Sequence, residues 1–468
     1  AMPMNLTGIG KTYIVNINFN PDLKPSEFSD VALEVDPNAH KQPETVWQQY
    51  RTDSLNAREL ETYRVIDSLG KAEHLDRTLN SFETLITGYF PGRYWNFDIR
   101  RFITYNRYEG LRLGAGGRTT EQLFKQFTLG GYFAYGFKDK AFKYAGNVTV
   151  HVVPKHEFDV SVSYKNDVLE SGSFQFNEAW TLYNNSFIRN YMIDVMDQVR
   201  ESEVSLIFRT LKYMTLKAYM THSIVEPTNE YGFNVGMEEP QVLLTRYNFT
   251  ETGIKLKYAY KETFMKSPRG NKFSMGTNAP VFYLNISRGN NWMNSDFTFW
   301  RSEMKITKTF TTRTLGETRL ALVSGMVSGT VPYARLYAGM GSYRPFSLEA
   351  EQSFGTMRFN EFLSDRFVSL FLKQDFGKLL FKPRGKFQPE LALVHNAGWG
   401  QLSNAYRHQN IEFNTMKKGY FEGGILFNNL ARLQLFKYGI GVFYRYGPYA
   451  YSKTIDNFAF KLSLQINL

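Results

Sequence analysis

Apolar and polar residues alternate along most of the chain after about residue 108. The clearest example is the last segment, in which every second residue is apolar: Phe458, Phe460, Leu462, Leu464, Ile466 and Leu468. A period of two is typical of an antiparallel strand with one apolar and one polar face. Strands of soluble proteins average about five or six residues, whereas these segments run to about nine to fifteen, which is long enough to cross a bilayer at a tilt.

The alternation and the turn residues between segments divide this region into strands. Bacterial single-chain barrels have even strand numbers, so we expect about 16 strands, with one more near 240–248. The stretches 167–200 and 328–365 are too long for hairpin turns and should be loops on the outer side of the barrel. The predicted strands lie near 109–117, 125–137, 141–152, 155–166, 201–211, 213–224, 250–263, 280–288, 297–310, 316–327, 366–376, 387–399, 419–428, 432–446 and 455–468.

Residues 1–105 have a different pattern, which divides the chain into a segment 1–105 and a barrel 106–468. A strand near 13–19 is followed by several prolines. Asn56 is a suitable N-cap for a helix, with Glu59 at the capping-box position. A second short helix is predicted over about 75–86. The segment is a small helical part packed on the main domain, a periplasmic lid, or the remnant of an upstream partner domain to which it would form the joint.

Composition narrows the class of protein. Aromatic residues make up 16% of the chain and hydrophobic residues 43%, yet the mean hydropathy is −0.37. There is no apolar run long enough for a spanning helix, so a β-barrel is the remaining membrane class. The net charge is +11, but Lys and Arg are dispersed at alternate positions. This placement favours a wet lumen wall over a nucleic-acid partner.

The alternation also assigns side chains to the two faces of the wall. The first group should face lipid: Phe142, Tyr144, Val148, Val160, Leu256, Tyr258, Phe460 and Leu464. The second group should face the lumen: Lys143, Lys165, Arg209, Lys255, Lys257, Arg301, Lys305, Arg319 and Lys461, with Glu157, Asp159, Glu303 and Glu317.

Catalytic and metal-binding motifs are absent from the sequence. The chain has no Cys, and its seven His lack metal-ligand spacing. His222-Ser223 or His395-Asn396 could take part in an outer-membrane hydrolase, but only geometry establishes a triad. We therefore expect no enzyme activity, no cofactor and no metal.

Three segments carry a family resemblance: 50–69, 106–119 and 359–367. They resemble an uncharacterised family of gram-negative outer-membrane proteins that usually carry a carboxypeptidase-like regulatory domain near the N-terminus. That family is in turn similar to the BamA, TamA and FhaC superfamily of insertase and secretion barrels. The resemblance implies a sixteen-stranded antiparallel β-barrel in the bacterial outer membrane, with its sixth extracellular loop in the lumen.

The resemblance favours a barrel that assists the assembly or export of other proteins. Its partners would be outer-membrane lipid, client outer-membrane proteins and periplasmic or lipoprotein partners. The mechanism would use a weak seam between the first strand, with Gly110, Gly114 and Gly116, and the last strand, from Phe458 to Leu468. Close packing at a barrel bend is an equal explanation for these glycines. A porin-like channel with a basic lumen plugged by a loop is the alternative function.

The loop 328–365 has the composition of a plug. It carries Arg344, Arg358, Glu361 and Asp365 among four Phe residues. Exposed to water, such a loop has little reason to hold these aromatic side chains. We expect it to fill the lumen, with Arg358, the nearest match to the superfamily's loop arginine, bonded to a carboxylate. The alternative is a surface cap that binds an external partner.

Overall fold

The protein is described from a computed structural model. The structure describes residues 14, 17–23, 30–36, 42–72, 83–84, 86–174, 176, 185–209, 212–236, 242–267, 270–381, 387–433 and 436–466. The chain divides into two compact units. One comprises Ala1–Leu79 with Lys261–Thr277, and the other comprises Asn80–Tyr260 with Asn278–Leu468.

The larger unit is an antiparallel β-barrel whose wall contains sixteen strands in the described residues. Strand β1 consists of two halves, Trp95–Asp98 and Ile103–Asn106, separated by the 3-10 turn Ile99–Arg101. The others are β2 Gly110–Thr119, β3 Phe127–Gly136, β4 Ala141–Val153, β5 Phe158–Leu169, β6 Asp197–Phe208, β7 Met214–Glu226, β8 Tyr247–Ala259, β9 Val281–Asn290, β10 Phe299–Thr312, β11 Gly316–Ser328, β12 Arg366–Asp375, β13 Glu390–Gln401, β14 Tyr420–Leu433, β15 Phe436–Tyr446 and β16 Phe458–Ile466.

Each strand pairs in antiparallel register with the next one along the chain, from β1 to β16. The strand missing from the alternation pattern is β1 and not the expected segment near 240–248. In that region Leu243–Leu244 pairs with Gly232–Asn234 outside the wall, and Tyr247 and Asn248 are already the first residues of β8. The turn at Ile99–Arg101 interrupts the period of two, which hides β1 from a pattern search.

The two faces of the wall follow the alternation. Lys143, Arg301, Glu303 and Lys461 are each at most 2% exposed, so these predicted lumen residues point inward. The predicted outward residues Phe142, Tyr144, Val148 and Phe460 are between 41% and 58% exposed. The predicted strand register is therefore confirmed at these positions.

The connections between strands differ in length at the two ends of the barrel. Because neighbouring strands run in opposite directions, alternate connections lie at the same end. The connections 170–196, 227–246, 329–365 and 402–419 lie at one end, and the long connection at the other end is 260–280, most of which belongs to the smaller unit. At the former end 329–365 is the sixth connection, and five strands follow it. This is the position that the resemblance implies for a loop in the lumen.

The smaller unit contains two helices and a short sheet. Helices α1 and α2 span Glu44–Tyr50 and Ala57–Ala72. The capping box at the start of α2 is confirmed, since the Glu59 amide donates to Asn56 Oδ1 at 2.9 Å and the Asn56 amide donates to Glu59 Oε2 at 2.9 Å.

The sheet of the smaller unit joins distant parts of the sequence. Val31–Glu34 pairs in parallel with Phe264–Lys266, which pairs with Lys272–Ser274. The strand predicted near 13–19 is wrong where it can be checked, since residues 14 and 17–19 are described and do not form a strand, and residues 13, 15 and 16 lie outside the described residues. Most of the helix predicted over 75–86 also lies outside the described residues. No helix in the described part of the chain is long and apolar enough to cross a membrane.

Candidate functional site

The two edges of the barrel sheet meet at a seam, defined here as the boundary between β1 and β16. Ladders join β1 to β2 and β16 to β15, but no ladder joins β1 to β16 in the described residues. Unpaired strand edges present rows of N–H and C=O groups that can pair with another strand. The seam is therefore the part of the wall where the sheet edges can pair with something other than a neighbouring wall strand.

The glycines expected at the seam lie one strand away from it. Gly110, Gly114 and Gly116 are on β2, which pairs with β1 on one side and β3 on the other. A Cβ at Gly114 would lie 2.6 Å from Ala134 Cβ and 2.9 Å from the Arg101 carbonyl oxygen. Close packing therefore explains Gly114, and the seam assignment of these three glycines is corrected. The error follows from the missed strand β1.

The last strand lies at the seam as predicted. Phe460 and Leu462 are exposed on its outward face, and Phe458 and Leu464 share that face. Ile466 is the final residue of β16, and Leu468 lies outside the described residues.

Short segments of the same chain cover both edges of the seam. Tyr89–Phe90 pairs antiparallel with Phe97–Asp98 of β1. On the other side, the segment Phe346–Leu348, called the loop strand below, pairs in parallel with Phe460–Leu462 of β16. The Glu349 amide extends this pairing by donating to the Leu462 carbonyl oxygen at 2.8 Å.

The loop strand belongs to residues 329–365, called the lumen loop below, which packs against the inner wall. Its side chains Phe354, Met357 and Phe362 are 0% exposed. They form one cluster with wall residues such as Phe371 and Tyr420. The plug expected from the sequence is therefore present, with Phe354 and Phe362 as two of its four phenylalanines. Phe359 is half-buried and Phe346 is 65% exposed.

A buried carboxylate on β14 holds the middle of the lumen loop. Glu422 is 0% exposed. Its Oε1 accepts from the Gly355 amide at 2.7 Å and from Asn396 Nδ2 at 2.7 Å. Its Oε2 accepts from the Thr356 amide at 2.8 Å and hydroxyl at 2.6 Å. Four donors satisfy the charge, as a buried carboxylate requires.

Two ion pairs fix the loop to opposite parts of the wall. Near its start, Arg335 donates through Nε to Glu251 on β8 and through Nη2 to Ser223 on β7, the latter at 2.7 Å. Near its end, Glu361 accepts from Arg445 on β15 at 2.7 Å. Both pairs are almost fully buried, and removal of one partner would leave an uncompensated charge.

The four predicted loop residues have different roles. Glu361 makes the wall contact just described. Arg344 pairs with Asp194 at 2.7 Å and donates to the Met192 carbonyl oxygen at 2.8 Å, both in the connection 170–196. Asp365 accepts from the Ser403 amide at 2.7 Å.

Arg358 does not make the expected carboxylate bond. Its side chain is exposed, and its guanidinium lies 5.2 Å from the Tyr451 ring centroid. Its backbone amide, and not its side chain, donates to Glu361 Oε2. The loop arginine that does bond a wall carboxylate is Arg335, which pairs with Glu251.

The half of the lumen loop next to the seam is also held by charge. Lys461 of β16 donates to the Ser342 carbonyl oxygen at 2.6 Å and to Ser347 Oγ at 2.7 Å. Lys373 of β12 donates to Glu349 at 3.2 Å and to Glu351 at 3.0 Å. The wall therefore supplies cations where the loop supplies acceptors.

One His makes the contacts that a catalytic triad would need. His151 Nε2 lies 3.0 Å from Thr128 Oγ1, and His151 Nδ1 lies 2.7 Å from Asp159 Oδ1, on the inner face of β3, β4 and β5. The candidates suggested by the sequence, His222 and His395, make different contacts. His222 bonds Thr250 at 3.0 Å and His395 lies 3.4 Å from the Tyr446 hydroxyl.

His408 lies in a connection outside the wall. It is 6% exposed, and its Nδ1 lies 2.8 Å from the Tyr231 hydroxyl. Burial lowers the pKa of His408 to about 4, so the ring is neutral in the fold at neutral pH. Among the described residues, no group of three His, Asp or Glu side chains is placed to hold a metal ion.

Sequence reasoning missed the wall residues Glu422 and Arg445 and the lumen-loop residue Arg335. The spacing of residues in the sequence does not show which residue each of these charged side chains contacts. The alternation does indicate that Glu422 and Arg445 point inward. Glu422 lies two residues after the buried Tyr420, and Arg445 lies between the outward Tyr444 and Tyr446. Contacts across the lumen cannot be derived from the period of two.

The fold is that of an outer-membrane β-barrel with its sixth loop inside the lumen. A profile of the family of unknown function DUF5686, C-terminal domain, matches residues 82–382. The chain belongs to this family. No protein with curated annotation matches the chain in sequence.

The fold is similar to that of several solved outer-membrane β-barrels. BamA from Haemophilus ducreyi lacking POTRA domains 1–3 has a TM-score of 0.50 at 11% identity, covering 77% of this chain and 68% of that one. CdiB from Escherichia coli has a TM-score of 0.41 at 10% identity, covering 76% of this chain and 60% of that one. CdiB from Acinetobacter baumannii has a TM-score of 0.40 at 10% identity, covering 78% of this chain and 58% of that one. The BamA similarity shows the fold alone.

Proposed function

We propose that this protein is a non-enzymatic barrel of the bacterial outer membrane that assists the assembly or export of other proteins. The observation that carries the proposal is the seam. A barrel that serves only as a pore is more stable when its first strand pairs with its last, because a closed sheet has no unpaired edges. Here β1 and β16 are each covered by a short segment instead.

The edge of β16 has the chemistry that a partner strand needs. The Leu462 carbonyl oxygen points to the seam, since it accepts from the amide of Glu349, which directly follows the loop strand. Alternate residues of a strand point the same way, so the backbone groups of Phe460 and Leu464 point to the seam as well. Client outer-membrane strands and exported strands could pair there by β-augmentation. Outer-membrane lipid would contact the outward apolar face.

The lumen loop argues against an open pore, but a lumen plugged by a loop is also part of the porin-like alternative, so the seam between β1 and β16 is what favours the assembly function over it. An open pore requires a lumen that water and solutes can cross, whereas Phe354, Met357 and Phe362 fill the lumen next to β12 and β14. Loop residues also bond wall strands from β7 to β16. We therefore expect little steady conductance from the intact protein in a planar bilayer.

An assembly assay tests the proposal. The full chain is reconstituted in liposomes, and the folding rate of a urea-unfolded eight-stranded barrel is followed by its heat-modifiable gel mobility. We expect faster folding than in empty liposomes. Leu462→Pro, which removes one seam-facing amide from an edge strand, should abolish the acceleration, whereas Leu462→Ala should retain it. Equal rates with and without the protein would exclude the assembly function.

The hydrolase alternative would have to use His151. A Thr hydroxyl beside a His that is oriented by an Asp is the arrangement of an activated nucleophile. However, the amide next to Thr128, that of Leu129, already donates to Thr119 Oγ1 at 3.0 Å, and Thr128 itself is paired within the sheet. Neither amide is then free to stabilise an oxyanion, which is usually the largest catalytic contribution. We propose that the hydrogen bonds from Thr128 through His151 to Asp159 have a structural role and join strands β3, β4 and β5.

A fluorophosphonate probe tests that reading. We expect no covalent labelling of the purified protein at Thr128. Labelling that disappears in both Thr128→Ala and His151→Ala variants would make the protein a hydrolase.

A further inference from the structure

The loop strand is part of the outer wall as well as of the lumen loop. Residues that lie opposite each other in neighbouring strands share a face. Phe346 lies opposite Phe460, and Leu348 lies opposite Leu462. Both β16 residues point outward and are exposed, and Phe346 is 65% exposed. The apolar side chains of the loop strand therefore continue the outer surface beyond the last strand.

The middle residue of the loop strand points the other way. Ser347 lies opposite Lys461 and is 9% exposed, and its Oγ accepts from Lys461 Nζ. The sequence Phe-Ser-Leu thus repeats, in three residues, the apolar–polar–apolar pattern of β16 itself. The lumen loop passes out to the wall here and occupies the edge of β16 as a short extra strand.

The pairing is short and of the weaker kind. It covers three residues in parallel register, extended by the amide of Glu349, whereas β15 pairs with β16 over nine residues in antiparallel register. Parallel pairing is slightly less stable per residue than antiparallel pairing. A longer strand that pairs with the same edge would therefore form more backbone bonds than it displaces.

We propose that the loop strand is a built-in occupant of the seam, which an incoming extended segment with alternating apolar and polar side chains displaces. This inference rests on the proposed function, because it assigns to the assembly site its resting state and the chemistry of its partner. The partner would place apolar side chains on the outer face, where Phe346 and Leu348 lie. It would place small polar side chains beside Lys461, where Ser347 lies.

The absence of cysteine from the chain allows a clean covalent test. In Phe346→Cys with Phe460→Cys, a disulfide would lock the loop strand to β16, because neighbouring strands bring opposite Cα atoms to about 5 Å. The matched control is Val442→Cys with Phe460→Cys, which locks two residues paired between β15 and β16. In the assembly assay we expect the seam lock to slow folding at least tenfold and to be reversed by reductant. The control lock should have no effect.

A second measurement does not depend on assembly. Nitroxide labels at the same positions, 346 and 460, report the separation of the loop strand from β16 by electron paramagnetic resonance. The probe is a synthetic peptide with the sequence of residues 457–466, and a scrambled peptide of equal composition is the control. We expect the short label distance to be replaced by a long, broad distribution with the native-order peptide alone.

The outcomes separate the two proposals. A label distance unchanged by the peptide, or assembly that is equally fast with the seam locked and unlocked, would overturn the displacement proposal and leave the assembly function standing. Displacement by the peptide without any acceleration of barrel folding would retain the displacement proposal and refute the assembly function.

Discussion

Substitution of Glu422 by Gln offers a strong test of how the lumen loop is held. The change preserves size and shape and replaces one carboxylate oxygen by an NH2 group. Each oxygen now accepts two hydrogen bonds, from Gly355 and Asn396 on one side and from the amide and hydroxyl of Thr356 on the other. In either orientation of the Gln amide, one pair of donors faces an NH2 group.

The cost can be worked out from these contacts. In the better orientation the NH2 group lies beside Thr356, whose hydroxyl can rotate to accept, and only the Thr356 amide loses its acceptor. The remaining hydrogen bonds are then made to a neutral amide and no longer to a charged carboxylate. Hydrogen bonds to a charged group contribute about 1.5–3 kcal/mol and an unsatisfied buried amide costs about 1–3 kcal/mol, so we expect a loss of about 2–4 kcal/mol.

Two measurements test this prediction. The first is the unfolding temperature, at which the barrel loses the fast gel mobility of its folded form, and the second is the extent of protease cleavage within the lumen loop. Glu422→Gln should lower the temperature and expose the loop to protease. The matched control is Glu157→Gln, since Glu157 pairs at 3.6 Å with Arg209 and is 44% exposed. Surface pairs of this kind contribute about 0–1 kcal/mol. Identical behaviour of the two variants would mean that the Glu422 contacts do not hold the loop.

Three further predictions concern the wall, the plug and the outer connections. Leu464→Arg, on the outward face, should destabilise the barrel in lipid by about 2–4 kcal/mol, measured by reversible urea unfolding; a loss below 0.5 kcal/mol would contradict a lipid-facing position. Deletion of 340–362 should raise conductance in planar bilayers and lower heat stability, and two unchanged values would refute the plug. His408 has a pKa depressed to about 4 against about 6.5 when unfolded, so its stabilising contribution is complete above pH 6.5 and is lost as the pH falls to 4. Hydrogen exchange at 232–234 should therefore rise over this window in the native protein and stay flat in His408→Gln.

The strand pattern was predictable because the physical cause is local. Side chains of a strand alternate between the two faces. In a barrel with a wet interior, the polar positions of the sequence therefore indicate the inward side chains and the apolar positions the outward ones, as Lys143 and Phe142 show. The one missed strand is the one whose alternation is broken, at Ile99–Arg101. The seam glycines were misplaced for the same reason, since the error in strand number moved the edge by one position.

The interior of the site was less predictable because its causes are long-range. The composition of the lumen loop correctly indicated a plug, but not which charges would meet. Arg358 was the natural choice from the superfamily motif, and its side chain lies exposed. Arg335 and Glu251 are 84 positions apart in the sequence, and Glu361 and Arg445 are also 84 positions apart. No periodicity relates such pairs, and only the closed arrangement of strands brings them together.

The small sheet of the first unit has a consequence for the order of folding. Its parallel pair joins Val31–Glu34 to Phe264–Lys266, and the side chains of Glu34 and Lys266 meet across 232 positions of sequence. The second partner is available only after the chain has been made through β8. Closing so large a loop is entropically costly, and such contacts form slowly. The segment Val31–Glu34 is thus made long before its partner and is among the last to complete its sheet, so a protease present during biogenesis would have a long time to cleave it.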